Sequence, residues 1–251
     1  MNLVTIIIPF YKKRKFFSKT INSVLNQTFK KFKIIIIYDD ENRKDLEFLK
    51  KFKSKKIQII INKKNLGVGK SRNRGIKIAK TKYIAFCDAD DVWQKNKLQK
   101  QIYYMEKTKA KFSHTDYKII NDEDKIIGMM KIKKKTLYSQ LLKSCDIGLS
   151  TVIIKTKILK KNLFGGLKTK EDYALWLKLC RSGVKISGIN TSLSSWRKNS
   201  NSLSSNSKQK ILDAFKLYYF YEKFNFFISI YLTLRLSFFY LIKRFLQKRD
   251  L

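Results

Sequence analysis

Proline and cysteine are scarce in this sequence. Its 251 residues include one proline, Pro9, nine glycines and three cysteines. Cys87, Cys145 and Cys180 lie far apart, so they form neither a Cys-X-X-Cys pair nor the even set that a disulfide framework needs. So few prolines and glycines argue against a flexible linker, and the length suits one enzyme-sized domain. The composition therefore excludes a disulfide-rich protein and a structural zinc site, and it favours a reducing compartment.

Histidine and acidic residues are also rare. The one histidine, His114, has no partner for a zinc site and is predicted to be structural. Fifty-six lysines and arginines against 19 acidic residues give a net charge of +37. Nucleic-acid binding would need a basic face, but the lysines are spread from Lys12 to Lys248 without interleaved aromatic residues. We therefore expect attraction to an anionic membrane surface, or a compositional bias, and no nucleic-acid partner.

Short apolar runs alternate with helical patterns through the first 87 residues. The predicted strands cover 3–8, 33–38, 57–61 and 83–87. The predicted helices between them cover 16–26, 43–52 and 68–79. The first run is too short and too rich in β-branched residues for a signal peptide. This β-α-β alternation predicts an α/β fold with a mostly parallel sheet and helices on both faces.

The second half of the sequence predicts a more mixed order of elements. Its predicted helices cover 94–107, 136–143 and 171–182. Its predicted strands cover 111–120, 126–132, 149–154 and 185–189. The Ser- and Asn-rich stretch from Asn199 to Ser207 predicts a flexible loop that can act as a lid.

The run Tyr83–Trp93 ends a predicted strand in three carboxylates within four positions, those of Asp88, Asp90 and Asp91. Parallel strands present functional groups at their carboxyl ends, and carboxylates this close repel one another unless a cation lies between them. A hard divalent ion takes one or two carboxylates and completes its shell with water and phosphate oxygens. The cluster therefore predicts a metal-bound phosphate compound. The alternative is a helix cap, with Asp91 capping a helix that starts near Trp93.

Residues 65–76 suggest a second phosphate-binding feature. Gly69-Lys70-Ser71 is similar to the end of a P-loop, but Lys64 stands where that loop needs its first glycine. A dinucleotide fingerprint fails as well, because Arg72 occupies its third glycine position. Kinase, ATPase and dehydrogenase activities are therefore disfavoured. The segment still supplies backbone amides at a helix start, and Arg72, to a diphosphate.

These motifs in this order resemble family 2 glycosyltransferases, which have the GT-A fold. Asp88-Ala89-Asp90 is similar to the Asp-X-Asp motif of that family. The other similar segments are Val4–Tyr11, Ser23–Thr28, Ile34–Asp40, Asn65–Ile76, Glu171–Leu177 and Trp196–Ser204. The resemblance implies a Rossmann-like GT-A domain that uses a nucleotide-sugar and inverts the configuration of the sugar.

The resemblance also implies which residues form the site. The donor nucleotide would contact Pro9, Tyr11, Asp39, Asp40, Asn65, Arg72, Asp88, Trp196 and Arg197. Asp90 and Asp88 would hold Mg²⁺ or Mn²⁺. Family members usually follow the first acid pair with Gly-Ser, whereas this chain has Glu41-Asn42, so the shape of that loop is expected to differ.

Glu171 and Asp172 open a predicted amphipathic helix. Two acids in a first helical turn are ordinary, because they complement the helix dipole. The resemblance implies more: Asp172 as the catalytic base that takes the proton of the acceptor hydroxyl, with Glu171 as a supporting group. Such a base typically contributes about 10²–10⁴-fold in rate.

The C-terminal segment differs in composition from the rest. From Phe224 to Ile242 it is rich in Phe, Tyr, Leu and Ile, with basic residues after it and Arg235 inside it. A charge near the middle is costly in a membrane span, so we predict an interfacial helix with a polar stripe of Asn225, Ser229, Thr233 and Ser237. A helix packed on the domain or on a second subunit is the alternative. The predicted division is a glycosyltransferase domain, 1–206, and a helical membrane-associating tail, 207–251.

The sequence thus predicts a metal-dependent inverting glycosyltransferase, peripheral on the cytoplasmic face of a membrane. A UDP-sugar is the expected donor, and the expected acceptor is a hydroxyl of a surface polysaccharide or lipid-linked glycan. A non-catalytic basic protein that binds anionic membrane or nucleic acid, and a sugar nucleotidyltransferase, are the alternatives. The oligomeric state is left open.

Overall fold

Four parallel strands form one half of the central sheet in the computed structural model, which describes residues 2–52, 54–199 and 206–249, the last ten of these by backbone alone. The strands are β1 (Val4–Phe10), β2 (Phe32–Tyr38), β3 (Ile57–Ile61) and β4 (Tyr83–Phe86). Their order in the sheet is β3-β2-β1-β4. Runs of isoleucine buried on both faces are typical of such strands, and all four predicted positions are confirmed.

Helices connect these strands. They are α1 (Arg14–Leu25), α2 (Leu46–Lys50) and α3 (Val68–Ile78), with a 3₁₀ turn at Arg43–Asp45 before α2. The helix predicted over 43–52 is therefore shorter than expected. Asn42 caps the start at the predicted position, because its side chain accepts the Lys44 N–H, but the first turn is 3₁₀ and the α-helix ends at Lys50.

The other half of the sheet is mixed. Its strands are β5 (Val92–Trp93), β6 (Phe112–Ile120), β7 (Ile126–Met130), β8 (Lys135–Thr136), β9 (Ile153–Lys155) and β10 (Ile186–Arg197). The order continues β4-β9-β6-β10-β5, with β9 antiparallel to both β4 and β6. Strand β10 is parallel to β6, and β5, β7 and β8 pair antiparallel. The prediction of a mostly parallel sheet is therefore correct for β1 to β4, whereas beyond them β6 and β10 pair in parallel and the other pairings are antiparallel.

The helices of this half are α4 (Lys97–Thr108), α5 (Tyr138–Leu141), α6 (Thr156–Lys161) and α7 (Glu171–Arg181). A cap by Asp91 on a helix near Trp93 is wrong, because α4 begins at Lys97 and residues 92–93 form β5 against Ser194 and Ser195 of β10. Strand β10 extends eight residues past the predicted end at 189. Bulges within its pairing to β6 carry it to Arg197 at the acid cluster.

The core lies in two layers, one on each face of the sheet. Along β1 the side chains alternate, so Ile6 and Ile8 enter one layer with Phe17, and Ile7 enters the other. Helix α3 approaches β1 closely at Gly75, where a Cβ atom would lie 2.8 Å from Cγ2 of Ile7. This contact fixes α3, and with it Arg72, against the sheet.

After residue 206 the chain forms α8 (Ser207–Lys216), a π-helical turn (Leu217–Tyr221) and α9 (Phe226–Arg249). Leu217, Tyr218 and Leu232 are buried in the same layer as Trp176 of α7. In the part of the chain that the structure describes, no helix is both long and apolar enough to cross a membrane.

The predicted lid falls largely on residues 200–205, which lie outside the described residues. The domain boundary at 206 stays a prediction.

His114 lies buried on β6, and neither of its ring nitrogens has a hydrogen-bond partner among the described residues. Burial lowers its pKa to about 4, so the folded protein takes up this proton less readily than the unfolded chain. The contribution of the neutral ring to stability is complete above pH 6.5 and is lost as the pH falls toward 4.

We therefore expect the free energy of unfolding to fall by about 2–3 kcal/mol more in the wild type than in His114→Phe between pH 7.5 and pH 4. Denaturant titrations of both proteins at the two pH values measure this difference. Parallel losses in the two proteins would contradict the assignment.

Candidate active site

Asp39 holds a loop at the end of β2. Its backbone N–H donates to the Phe10 carbonyl at the end of β1 (2.9 Å), and its buried carboxylate accepts from Asn62 Nδ2 (2.7 Å). The same carboxylate accepts the backbone N–H groups of Leu66 and Gly67 at 2.8 and 3.0 Å. Asp39 therefore shapes the loop that leads into α3.

Three of the predicted donor residues lie on the surface beside this loop. Tyr11 is exposed directly after β1, and Asp40 is half-buried after β2, with its carboxylate accepting the Asn42 N–H at 3.1 Å. A hydrogen bond to Tyr11 and the charges of Tyr11 and Asp40 raise the pKa of Lys12. Asn65 is exposed and donates to the Asp39 carbonyl (3.0 Å). Pro9 is buried within β1. A nucleoside could contact the aromatic, carboxylate and amide groups of Tyr11, Asp40 and Asn65 at this surface.

The acid cluster follows β4 in a tight turn, in which the Asp91 N–H donates to the Asp88 carbonyl at 3.1 Å. Lys13 lies 2.7 Å from the Asp90 carboxylate, which also accepts from Asn199 Nδ2 (3.1 Å). Asp91 is buried and accepts the Arg197 N–H at 2.9 Å. Burial raises the pKa of Asp90 against the opposing charge of Lys13, and burial with the charges of Asp90 and Asp88 raises that of Asp91.

Arg72 joins the acid cluster to the acid pair of α7. Its buried guanidinium donates to Asp88 Oδ1 at 2.7 Å and to Glu171 Oε1 at 2.5 Å, and it lies 5.5 Å from the centre of the Phe164 ring. Despite burial, the two carboxylates raise the pKa of Arg72, so it stays charged. One side chain thus bridges residues that are 83 positions apart in the sequence, and it forms the centre of the site.

The acid pair begins α7. Glu171 is buried beside Arg72, and burial raises its pKa to about 7 while the Arg72 charge opposes that rise. Asp172 accepts the Tyr173 N–H at 2.7 Å, and burial raises its pKa, again against the charge of Arg72. A carboxyl group with a raised pKa is a stronger base when ionised, which suits proton abstraction from a hydroxyl.

Arg197 ends β10 and is fully engaged with the protein. Its Nε donates to the Asp90 carbonyl at 2.9 Å, and its other nitrogens donate to the Asn121 carbonyl (2.6 Å) and to Asp124 (2.5 Å). The guanidinium also lies 4.5 Å from the centre of the Phe16 ring. Arg197 therefore fixes the acid cluster in place, and its contact with the donor stays a prediction, as does that of the neighbouring half-buried Trp196.

Asp88 and Asp90 have the donor chemistry that a hard divalent ion prefers. One oxygen of Asp88 is free of the Arg72 bridge, and the Asp88 side chain is about one-third exposed. The described residues contain no group of three or more His, Cys, Asp or Glu side chains arranged around a metal. Two carboxylates alone fit an ion that takes the rest of its shell from water and substrate phosphates.

Residues 5–166 match the family model described as Glycosyl transferase family 2. The chain belongs to glycosyl transferase family 2. It is therefore a glycosyltransferase, and the alternative activities find no support in this match.

Two curated relatives of this glycosyltransferase are described as acting on a lipid-linked sugar. It is 36% identical over 213 residues to the UDP-Glc:alpha-D-GlcNAc-diphosphoundecaprenol beta-1,3-glucosyltransferase WfaP of Escherichia coli, covering 84% of each chain. It is 35% identical over 206 residues to WfgD of the same organism, which has the same described activity, covering 81% of this chain and 80% of WfgD. A putative teichuronic acid biosynthesis glycosyltransferase, TuaG of Bacillus subtilis, is 30% identical over 207 residues, covering 81% of this chain and 82% of TuaG.

Solved structures support the fold of this glycosyltransferase. The structure of Staphylococcus aureus TarS 1-349 in complex with UDP-GlcNAc aligns with a TM-score of 0.70 at 18% identity, covering 90% of this chain and 69% of that one. At this identity the likeness shows the fold alone. The predicted GT-A architecture is therefore confirmed, with a mixed sheet in place of a mostly parallel one.

Several residues of the site were not predicted from sequence. Lys13 pairs with Asp90, Asn62 holds Asp39, and Asn73 exchanges two hydrogen bonds with the Phe164 backbone, at 2.8 and 2.9 Å. Lys13 lies in a basic run within a chain of net charge +37, so its sequence context does not distinguish it. Asn73 lies next to Arg72 in the segment Asn65–Ile76, and its position beside a predicted donor residue could have indicated that it belongs to the site.

Proposed function

We propose that this glycosyltransferase transfers glucose or a related sugar from a UDP-sugar to a hydroxyl group of a lipid-linked N-acetylglucosamine, with inversion at the anomeric carbon. The observation that carries the proposal is the Arg72 bridge, because it brings the acid cluster and the acid pair to one place. The identity to WfaP and WfgD across most of each chain supports the choice of donor and acceptor.

The proposed step is a single displacement. Asp172 takes the proton of the acceptor hydroxyl as its oxygen bonds to the anomeric carbon, and the bond from that carbon to the diphosphate breaks. UDP then leaves with the bonding electrons. Glu171, held by Arg72, orients the acceptor, and Tyr173 fixes Asp172 by donating its backbone N–H.

Asp90 and Asp88 would hold Mg²⁺ or Mn²⁺, which would neutralise charge on the departing diphosphate. Lys13 lies 2.7 Å from Asp90. When the ion binds Asp90, the Lys13 ammonium would pair with a phosphate oxygen of the donor in place of that carboxylate. Tyr11, Asp40 and Asn65 would contact the nucleoside at the surface beside the Asp39 loop.

We also propose that the enzyme works as a peripheral protein on the cytoplasmic face of a membrane. A diphosphate-linked polyprenol acceptor would lie in that membrane, and the strongly positive chain would be attracted to its anionic surface. A nucleotidyltransferase would leave Glu171 and Asp172 without a role, and a non-catalytic binder would give no chemical role to the carboxylates that Arg72 joins.

The proposed reaction is tested by release of UDP from UDP-glucose in the presence of a GlcNAc-diphosphate carrying a polyprenyl chain. We expect turnover with Mn²⁺ or Mg²⁺ and none after chelation. Transfer to the acceptor is checked by mass spectrometry of the lipid product. Equal release without the acceptor, or release only from nucleotide-sugars that carry no UDP, would contradict this donor and acceptor.

In the same assay Asp90→Asn is expected to lower turnover by at least about 10²-fold, because neutralisation of the leaving group is worth several kcal/mol. Asp122→Asn is the matched control, since Asp122 is an exposed carboxylate that pairs with Lys15. It should behave as the wild type. Metal-dependent turnover that survives in Asp90→Asn would remove this residue from the metal site.

A further inference from the structure

Helix α9 carries an apolar stripe on its outward face. Phe227, Tyr231, Leu234 and Phe238 are 80%, 60%, 65% and 61% exposed. Their spacing of four, three and four residues places them in one line, about 16 Å long, along the helix. A water-facing helix would carry polar side chains in this line.

Two small polar side chains of α9 lie on the opposite face. Ser229 and Thr233 are buried against the domain, and their hydroxyls donate to the backbone carbonyls of Asn225 and Ser229 at 2.8 and 2.7 Å. Ser237 donates likewise to the Thr233 carbonyl (2.9 Å). Because the helix itself satisfies these hydroxyls, they can be buried at little cost. Of the predicted polar stripe, Ser229 and Thr233 face the protein, Ser237 is half-buried, and Asn225 is exposed just before α9. The stripe is therefore confirmed only in part, and the exposed face is the apolar one.

The exposed apolar surface continues onto the preceding segment. The rings of Tyr219, Phe215, Phe226 and Phe227 form a chain of contacts, with centroids 5.4 to 5.7 Å apart. Ile211 and Leu212 of α8 and Phe220 are exposed as well. Contiguous apolar surface of this kind marks an interaction site in a soluble protein.

The exposed apolar surface could be covered by a second copy of the chain or by a lipid leaflet, and charge decides between them. Lys208, Lys216 and Lys223 are exposed on the same segment, and Arg235 lies 5.7 Å from the Phe239 ring on α9. A second copy would bring a further +37 charges to the surface, so association of two chains would be opposed by repulsion. An anionic lipid leaflet has the opposite charge and an apolar interior beneath it.

We propose that α9 lies flat in an anionic lipid leaflet, with Phe227, Tyr231, Leu234 and Phe238 inserted among the acyl chains. Interfacial helices of this kind bury an apolar face by about 5–10 Å and keep cations at the headgroup level. The inference rests on the proposed function in one respect, because it names the surface by which the enzyme meets its lipid-linked acceptor.

The test is sedimentation of the full chain with phosphatidylcholine vesicles that contain or lack phosphatidylglycerol. The stripe variant is Phe227→Ser with Leu234→Ser. The matched control is Tyr103→Ser with Leu137→Ser, which removes side chains that are 67% and 58% exposed elsewhere. We expect the stripe variant to partition into anionic vesicles roughly 100-fold more weakly, since each lost apolar side chain weakens partitioning about tenfold or more. The control should match the wild type.

Insertion is read with a tryptophan added at one position and compared with the wild type, which already contains Trp93, Trp176 and Trp196. Brominated lipids should quench the fluorescence of Phe227→Trp more than that of the wild type, and the fluorescence of Tyr103→Trp no more than that of the wild type. Equal binding of the stripe variant and the wild type would overturn the proposal. It would also be overturned by a concentration-dependent dimer that the stripe variant abolishes, since a second copy would then cover α9.

Failure of this inference is separable from failure of the proposed function. UDP release with a water-soluble GlcNAc-diphosphate acceptor does not need the membrane, so both double variants should keep wild-type turnover there. Vesicle binding without any turnover would leave the membrane face standing and overturn the proposed reaction.

Discussion

Replacing Asp172 with asparagine is expected to lower the turnover number by about 10²–10⁴-fold and to leave the affinity for UDP unchanged. The amide has nearly the shape of the carboxylate and can still accept the Tyr173 N–H, so the start of α7 should keep its geometry. What it cannot do is take the proton of the acceptor hydroxyl. Turnover is measured by UDP release and affinity by calorimetry.

The pH profile provides a second readout of the same base. Because burial raises the pKa of Asp172, the rate should fall as the pH is lowered through that raised value, where the carboxylate becomes protonated. Asp172→Asn should lose this acid limb along with most of its turnover. A variant that keeps the limb would show that another group titrates in the reaction.

Asp116→Asn is the matched control for this experiment. Asp116 is also a buried aspartate that accepts a backbone N–H, from Ile132 at 2.8 Å, but it lies outside the acid cluster and the acid pair. Asp116→Asn should lower turnover much less than Asp172→Asn does. Near-normal turnover in Asp172→Asn would contradict its assignment as the base.

The parallel half of the fold could be predicted because its signals are local. Strands β1 and β2 are nearly continuous runs of β-branched residues, and the acids that follow β2 and β4 lie at the edge where α/β proteins bind ligands. The positions of Asp39, Asp88 and Asp90 at one edge follow from that pattern. So does the placement of α3 and Arg72 beside them.

The mixed half could not be predicted because its signals are long-range. The true length of β10 depends on its pairing with β6 and on the bulges that restore their register, and neither is visible in the composition of residues 186–197. Asp91 was predicted as a possible cap because aspartate is favoured at helix starts. Its actual partner, the Arg197 N–H, is 106 positions away and cannot be inferred from the local sequence. Helix α9 shows the same limit: its period was visible, but whether its polar or its apolar face is covered depends on the surface it packs against.

Arg72→Leu is expected to lower the free energy of unfolding by about 3–5 kcal/mol, because it leaves the Asp88 and Glu171 carboxylates without their shared counter-charge. Glu171 is buried and its pKa is already about 7, so without Arg72 it must take up a proton at neutral pH or keep a charge that the site solvates poorly, and both cost stability. Denaturant titration at neutral pH measures the loss. Arg14→Leu is the control, since its ion pair with Asp45 is exposed and 3.7 Å long, and its loss should cost about 1 kcal/mol or less.

The source of the loss can be isolated by removing the orphaned charge. Glu171→Gln in the Arg72→Leu background should recover part of the stability, because a buried amide costs less than a buried unpaired carboxylate. The same Glu171→Gln change in the wild type should destabilise, since it weakens one of the two bonds that Arg72 makes. Opposite signs in the two backgrounds measure the coupling between Arg72 and Glu171. Additive effects would mean that Arg72 stabilises the protein through packing on Phe164 and not by joining the acid cluster to α7.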